Sequence, residues 1–214
     1  MSDTTEDEQL AQIKDWWQRN GKPLLTGGIL ALAVVFGWQA WQNHQANQSA
    51  GASALYQQLL ETALAPAAVD LGAVSELSNK LKEDYAGTSY AQYASLLMAK
   101  VAVDNQKLDD AASALQSVLD KPYDEVLGEL ARQRLARVLS AQGKTEEGLK
   151  LLEAGKVVKS FAAGRDEIKG DLLLKLGRTD EAHAAYTKAR AALGEDAAQG
   201  TLQMKLDDLA KEDA

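Results

Sequence analysis

Two histidines, His44 and His183, are the side chains of this chain most suited to hold a metal or to pass a proton. A metal centre needs three or four converging His, Cys, Asp or Glu side chains, and a hydrolytic triad needs a histidine between a nucleophile and a carboxylate. Neither histidine has a partner at such a spacing, and the absence of cysteine removes thiolate sites, disulfides and cysteine nucleophiles. The tripeptide Gly143, Lys144, Thr145 resembles the end of a phosphate loop. That loop also needs a glycine five residues earlier, where Val138 stands, and a preceding strand. Pairs of acids at Glu146, Glu147 and at Asp180, Glu181 fall where helices are expected to begin, and carboxylates there favour the positive end of the helix dipole. Arg134 and Arg137 share a helical face and Arg132 lies elsewhere, so the three read either as an anion patch or as a face paired with Glu125 and Glu129. The expectation is therefore no catalytic residue, no metal, no cofactor and no small-molecule substrate.

The elements that carry these residues are helices. Ala, Leu, Glu, Lys and Gln dominate, with only three prolines and two phenylalanines, and these residues lose little freedom in a helix. The formal charge of -8 argues against nucleic acid, whose binding needs a basic face. Residues 1–44 contribute -2 of it and the remainder -6, which suits a protein partner.

Leu24 to Trp41 is 18 residues with no charge, about 27 Å of helix and close to the hydrocarbon thickness of a bilayer. Its eight strongly apolar residues favour insertion by about 2 to 5 kcal/mol. Trp16 and Trp17 before the run and Trp38 and Trp41 at its end match the headgroup preference of tryptophan. The run is long for a signal peptide and lacks a clean small-residue cleavage site, so an uncleaved signal-anchor is expected. Lys14, Arg19 and Lys22 precede it, and no Lys or Arg follows before Lys80. The positive-inside rule then places residues 1–22 in the cytoplasm, the span at 23–42, a linker at 43–52 and residues 53–214 outside the cytoplasm, in the periplasm of a Gram-negative cell. Gly27 with Ala31 and Ala33 with Gly37 are small residues four apart, a spacing that lets a second membrane helix approach.

Beyond the span the chain repeats. The segments from Lys107, Lys144 and Arg178 each run cation, polar or apolar residue, two acids and a small residue, namely Ala111, Gly148 and Ala182. Twelve residues upstream of each stands another small residue, Ala99, Ala136 and Gly170. A small residue on each helix of a hairpin, with a period near 34, is the tetratricopeptide arrangement. Met98, Leu135, Leu139, Leu173, Leu115, Leu152 and Tyr186 supply the large packing residues; Lys169 departs from the pattern. Gly143 and Gly177 are expected to end helices in the left-handed conformation, and Thr145 and Thr179 to cap the helices that follow. Repeats are placed at 92–125, 129–162 and 163–196, with a degenerate pair at 53–65 and 69–85 before them and a closing helix at 197–211. The fold class is all-α: one transmembrane helix followed by a solenoid of about eight helices.

In such arrays the inner surface is lined by positions 2, 5, 9 and 12 of each first helix. In this register these are Tyr93, Leu96, Lys100 and Val103; Leu130, Gln133, Arg137 and Ser140; and Gly164, Glu167, Asp171 and Leu174. The mixture suits recognition of a protein chain through apolar and polar contacts together.

The order of parts resembles the YfgM-like family, the ancillary subunits of the SecYEG translocon in Gram-negative bacteria. The resemblance rests on NGKPLLTGGILALAVVFGWQAWQNHQ in the anchor, YAGTSYAQYASLLMAK from Tyr85, ELARQRLARVLSAQGK from Glu129 and QMKLDDL from Gln203, and covers nearly the whole chain. It implies a single-pass inner-membrane protein that associates with the translocon and with a PpiD-type membrane-anchored periplasmic chaperone, and helps secreted chains pass to periplasmic folding factors. A regulatory scaffold, joining a cytoplasmic signalling partner at residues 1–22 to periplasmic load, is the alternative.

Overall fold

The computed structural model describes residues 3–65, 69–193 and 200–210, with side chains from residue 10 to residue 209. No strand occurs among the described residues. The chain divides into two compact units, Met1–Ala50 and Gly51–Ala214.

The first unit is helical and belongs to α1 (Asp3–Ala63). Proline at position 23 donates no N–H, so the carbonyl of Arg19 loses its helical partner. Polar groups near the apolar run bond to their own helix: Thr26 Oγ1 donates to the Lys22 carbonyl at 2.8 Å, and Asn20 Nδ2 to that of Trp16 at 3.0 Å. The best 18-residue window of the helix has a mean hydropathy of 1.6, and none of it is buried by protein. By length and composition this helix can cross a membrane. Residues 43–52, expected as a linker, are helix instead. Their Gln, Asn, Ser and Ala composition looks like loop, but the stretch holds no proline, and an established helix extends at little cost through such residues.

In the second unit the last turns of α1 pack with α2 (Leu71–Asp84) and α3 (Ser89–Asp104) around Ala52, Leu59, Val74, Leu81, Ala94 and Val101. The side chain of Asp70 caps α2, accepting from the N–H groups of Gly72 and Ala73 at 2.9 and 3.1 Å. Gly51 lets the Tyr85 hydroxyl approach closely, since a Cβ there would lie 2.6 Å from it and the ring would have to shift.

Three hairpins follow: α3 with α4 (Leu108–Asp120), α5 (Glu125–Ala141) with α6 (Thr145–Glu153), and α7 (Ala162–Lys175) with α8 (Thr179–Ala192). The first helices α3 and α5 begin at Ser89 and Glu125, ahead of the repeat starts at 92 and 129. The closing helix α9 is Gly200–Ala210 and packs on α8; positions 197–199 and 211 of the expected helix lie outside the described residues. Each helix packs on its neighbours in sequence, and each core bridges two hairpins: Leu115 and Val118 of α4 meet Leu127 and Leu135 of α5, while Leu152, Ile168, Tyr186 and Leu206 close the next layer. Each large side chain buried this way stabilises the array by about 1.5 to 3 kcal/mol.

The paired small positions are where the hairpins close. A Cβ on Gly148 would lie 2.6 Å from the carbonyl oxygen of Ala136, and one on Gly170 would collide with the ring of Tyr186. Gly143 and Gly177 adopt φ of +83° and +74°, and the equivalent turn of the first hairpin puts Gln106 at +60°. The threonines do not cap. Lys144 and Arg178 occupy the cap positions without a side-chain capping bond, and Thr145, already inside α6, meets Ser140 Oγ at 3.3 Å. The left-handed glycine already turns the chain one residue earlier than the threonine cap would require.

Between the second and third hairpins, Arg165 is 1% exposed. Its guanidinium donates to the carbonyls of Leu152 at 2.6 Å, Ala154 at 2.5 Å and Lys156 at 3.4 Å, and to Glu129 Oε2 at 3.1 Å.

Two stability measurements check this packing, both by thermal unfolding of the full chain followed by far-ultraviolet circular dichroism. Gln106→Gly should stabilise by about 1 kcal/mol, since it removes a left-handed non-glycine residue, whereas Gly148→Ala should destabilise by about 1 to 3 kcal/mol. Arg165→Met should destabilise by about 3 to 5 kcal/mol because the carbonyls of Leu152 and Ala154 lose their donor and buried Glu129 keeps only the more distant Arg132 as a cationic partner, and adding Glu129→Gln should recover part of the loss. A single Arg165→Met variant that melts with the wild type would remove the buried pair from the account.

Candidate functional site: an inner helical face with an apolar cleft

The first helices α3, α5 and α7 present the residues expected to line the inner surface, and burial divides them. Leu96, Gln133 and Ser140 are buried and closed to a partner. Leu96 belongs to the core between α3 and α5. Gln133 Nε2 bonds to Glu129 and to the Phe161 carbonyl at 3.0 and 3.1 Å, and Lys175 Nζ donates to the carbonyl of Ser140 at 2.6 Å. These positions face the next first helix along the array, which covers them.

Glu167 and Asp171 are taken by the closing helix. Lys205 of α9 reaches them at 2.8 and 2.6 Å and lies over the ring of Tyr186, 5.4 Å from its centroid. Tyr186 also donates to Asp171 at 2.8 Å. Burial pushes the Tyr186 phenol far above its usual pKa, with the Asp171 hydrogen bond adding to it, so the tyrosine stays a neutral donor. Burial opposes the charge on Lys205, but its hydrogen bonds to Asp171 and Glu167 outweigh that and hold its pKa above the usual lysine value. Gly164 is half-buried and Leu174 remains exposed.

The open part of the inner face lies on α3 and α5. Tyr93 is exposed and stands in a group of three rings with Tyr56 and Tyr90, centroids 5.7 to 6.0 Å apart. Burial, with the neighbouring Tyr93 adding to it, raises the pKa of Tyr56. Sequence reasoning missed Tyr56 and Tyr90; the spacing of Tyr90 and Tyr93, one helical turn apart, was the available signal.

Beside them, Lys100, Val103 and Arg137 border a cleft of about 400 Å³. Its floor is apolar, formed by Ala99, Leu108, Leu115, Val138 and Ala141 with Val103, and its rim carries Lys100, Asp104, Arg134 and Arg137. Lys100 Nζ is paired with Asp104 at 2.6 Å. Arg134 and Arg137 are exposed and make no ion pair or side-chain hydrogen bond among the described residues. The expected pairing with Glu129 falls instead to the other arginines: Arg132 lies 3.6 Å from it and Arg165 3.1 Å. Leu130 is half-buried at the edge of the core.

On α1, Trp16, Trp17, Trp38 and Trp41 are all exposed, the last two with ring centroids 5.2 Å apart. Gly27, Ala31, Ala33 and Gly37 are exposed as well, and a Cβ on either glycine meets nothing within 4 Å. His44 and His183 are exposed, and no group of three potential metal ligands occurs among the described residues. The arrangement offers recognition surfaces: an apolar floor with a cationic rim on the repeat domain, and an apolar helical surface on α1.

The model of a tetratricopeptide repeat-like domain family matches residues 14–211. The chain is 32% identical over 204 residues to the ancillary SecYEG translocon subunit of Haemophilus influenzae, an alignment covering 95% of this chain and 97% of that protein. It is 32% identical to the protein of the same name in Aggregatibacter actinomycetemcomitans, with 98% and 100% covered, and 31% identical to that of Escherichia coli, with 95% and 96% covered. Matched along nearly its whole length, and carrying a helix able to span a membrane, the chain belongs to the family of ancillary SecYEG translocon subunits built on a tetratricopeptide repeat-like domain.

Proposed function

We propose that this chain is a non-enzymatic accessory subunit of the Sec translocon in the bacterial inner membrane. Residues 23–42 anchor it in the lipid bilayer, residues 1–22 lie in the cytoplasm, and residues 53–214 form a periplasmic domain that binds partner proteins. The observation that carries the reading is the joining, in one chain, of an exposed apolar helix to a repeat domain, colinear over 95% of its length with a relative named as a translocon subunit. The cations at Lys14, Arg19 and Lys22 support the orientation. The family resemblance supports a PpiD-type periplasmic chaperone as second partner and the transfer of secreted chains to it as the task. The inner face of α3 and α5, with Tyr93, Lys100, Val103 and Arg137, is the contact surface of the repeat domain. Gly27, Ala31, Ala33 and Gly37 are the contact points within the membrane, where small residues allow close helix approach.

Orientation is open to a direct measurement, because the chain has no native cysteine. Gln12→Cys should resist a membrane-impermeant maleimide in cells with a permeabilised outer membrane, and Ser113→Cys should react; the reverse pattern sinks the topology. Partner assignment rests on co-isolation in mild detergent. Translocon subunits and the chaperone should accompany the wild-type chain. Replacing Leu24 to Trp41 with an unrelated membrane helix should reduce the translocon share, and Lys100→Glu with Arg137→Glu should reduce the chaperone share. Enrichment of neither partner by the wild type would overturn the proposal.

A further inference from the structure

The walls of the cleft between α3 and α5 restrict what it takes. Its rim carries a surplus of two positive charges, since Lys100 and Asp104 neutralise each other at 2.6 Å while Arg134 and Arg137 have no partner among the described residues. This stands out in a chain of net charge -8. The two arginines lie three residues apart on α5, so their side chains start about 5 to 6 Å apart on one face. A guanidinium fork matches a carboxylate, and the pair matches two carboxylates one helical turn apart.

The residues lining the cleft include no Ser, Thr, Asn or Gln. A strand-like occupant would lay backbone N–H and C=O groups against an apolar floor, where the only polar partners are the four charged side chains of the rim. A helix satisfies its own backbone and presents only side chains, and the cleft, about 400 Å³ in volume, has room for large apolar ones.

We propose that this cleft docks an acidic amphipathic helix of a protein partner, its apolar residues on Val103, Leu108 and Ala141, the accessible apolar residues of the lining, and its carboxylates on Arg134 and Arg137. The inference rests on the reading of the repeat domain as a partner-binding module and specifies what that module recognises. Charge complementarity of this kind speeds encounter and rejects basic competitors.

The test uses the full chain in non-ionic detergent and three fluorescein-labelled synthetic peptides on one alanine-rich helical background. The first carries leucines along one face flanked by glutamates, the second has lysines in place of the glutamates, and the third is the first with a central proline. Fluorescence anisotropy should show the glutamate helix binding at least about tenfold tighter than either other peptide, as expected when charge-assisted contacts and a preformed helix both contribute. Arg134→Glu with Arg137→Glu should remove that preference, Val103→Asp should weaken the glutamate helix about tenfold, and unchanged circular-dichroism melts should show both variants folded. Equal binding of the acidic and basic helices, full binding of the proline-interrupted peptide, or no binding would overturn the proposal. Co-isolation of translocon subunits with the wild-type chain reports separately on the accessory-subunit reading, so a peptide failure beside retained translocon subunits removes only the acidic-helix proposal.

Discussion

The two helices of each hairpin in the repeat domain approach so closely that one of them must give up its side chain, and the array follows from that constraint. At Gly148 the facing surface is the backbone of Ala136, and at Gly170 it is the ring of Tyr186. In the first hairpin, Ala99 and Ala111 are both buried and do the same with a methyl group each. Backbones at this separation leave no room for rearrangement, because protein interiors are packed as densely as organic crystals. The tightness of each hairpin fixes where the next one docks. It therefore fixes which residues of α3, α5 and α7 meet one another and which face out.

Arg165 solves a problem that the hairpins create. The helix α6 has nine residues and ends at Glu153, leaving terminal carbonyls that need donors as the chain crosses to α7. One guanidinium supplies them, taking the carbonyls of Leu152, Ala154 and Lys156 together with the carboxylate of Glu129 on α5. A buried ion pair contributes little beyond the cost of desolvating it, so its value here is geometric. It ties down residues 154–156 and joins the second and third hairpins beside the Gln133–Phe161 and Lys175–Ser140 hydrogen bonds.

The regular part of this architecture was legible because it repeats. Small residues twelve apart and acids after a turn recur three times and glycines at the turns twice, and repetition separates pattern from chance. Arg165 occurs once and reads in the sequence as one more surface arginine. The helical path of residues 43–52 was hidden for a different reason: composition reports preference, while a helix already formed continues through indifferent residues. The inner-face positions follow from the register of the repeat, but the sequence carries no measure of how far one first helix overlaps the next. That overlap buries Leu96, Gln133 and Ser140 and leaves Tyr93, Val103 and Arg137 open. The aromatic group escaped because Tyr56 lies outside the regular repeats, on the last turns of α1.

The closing helix decides which part of the inner face remains for a partner. Lys205 bridges Glu167 and Asp171, offsetting one of their two charges, and covers Tyr186, so both carboxylates are engaged from within the chain. What remains open is the stretch of α3 and α5 with tyrosines, an apolar floor and two arginines that make no ion pair among the described residues. A terminal helix in a repeat array must cover the last apolar surface, and here its Lys205 also engages two carboxylates and offsets one negative charge of the face. The accessible inner surface is thereby more positive than the chain as a whole, which carries -8. An acidic partner approaching this face meets arginine before it meets any free carboxylate of α7, and the same helix that completes the fold sets the sign of what the fold can recognise.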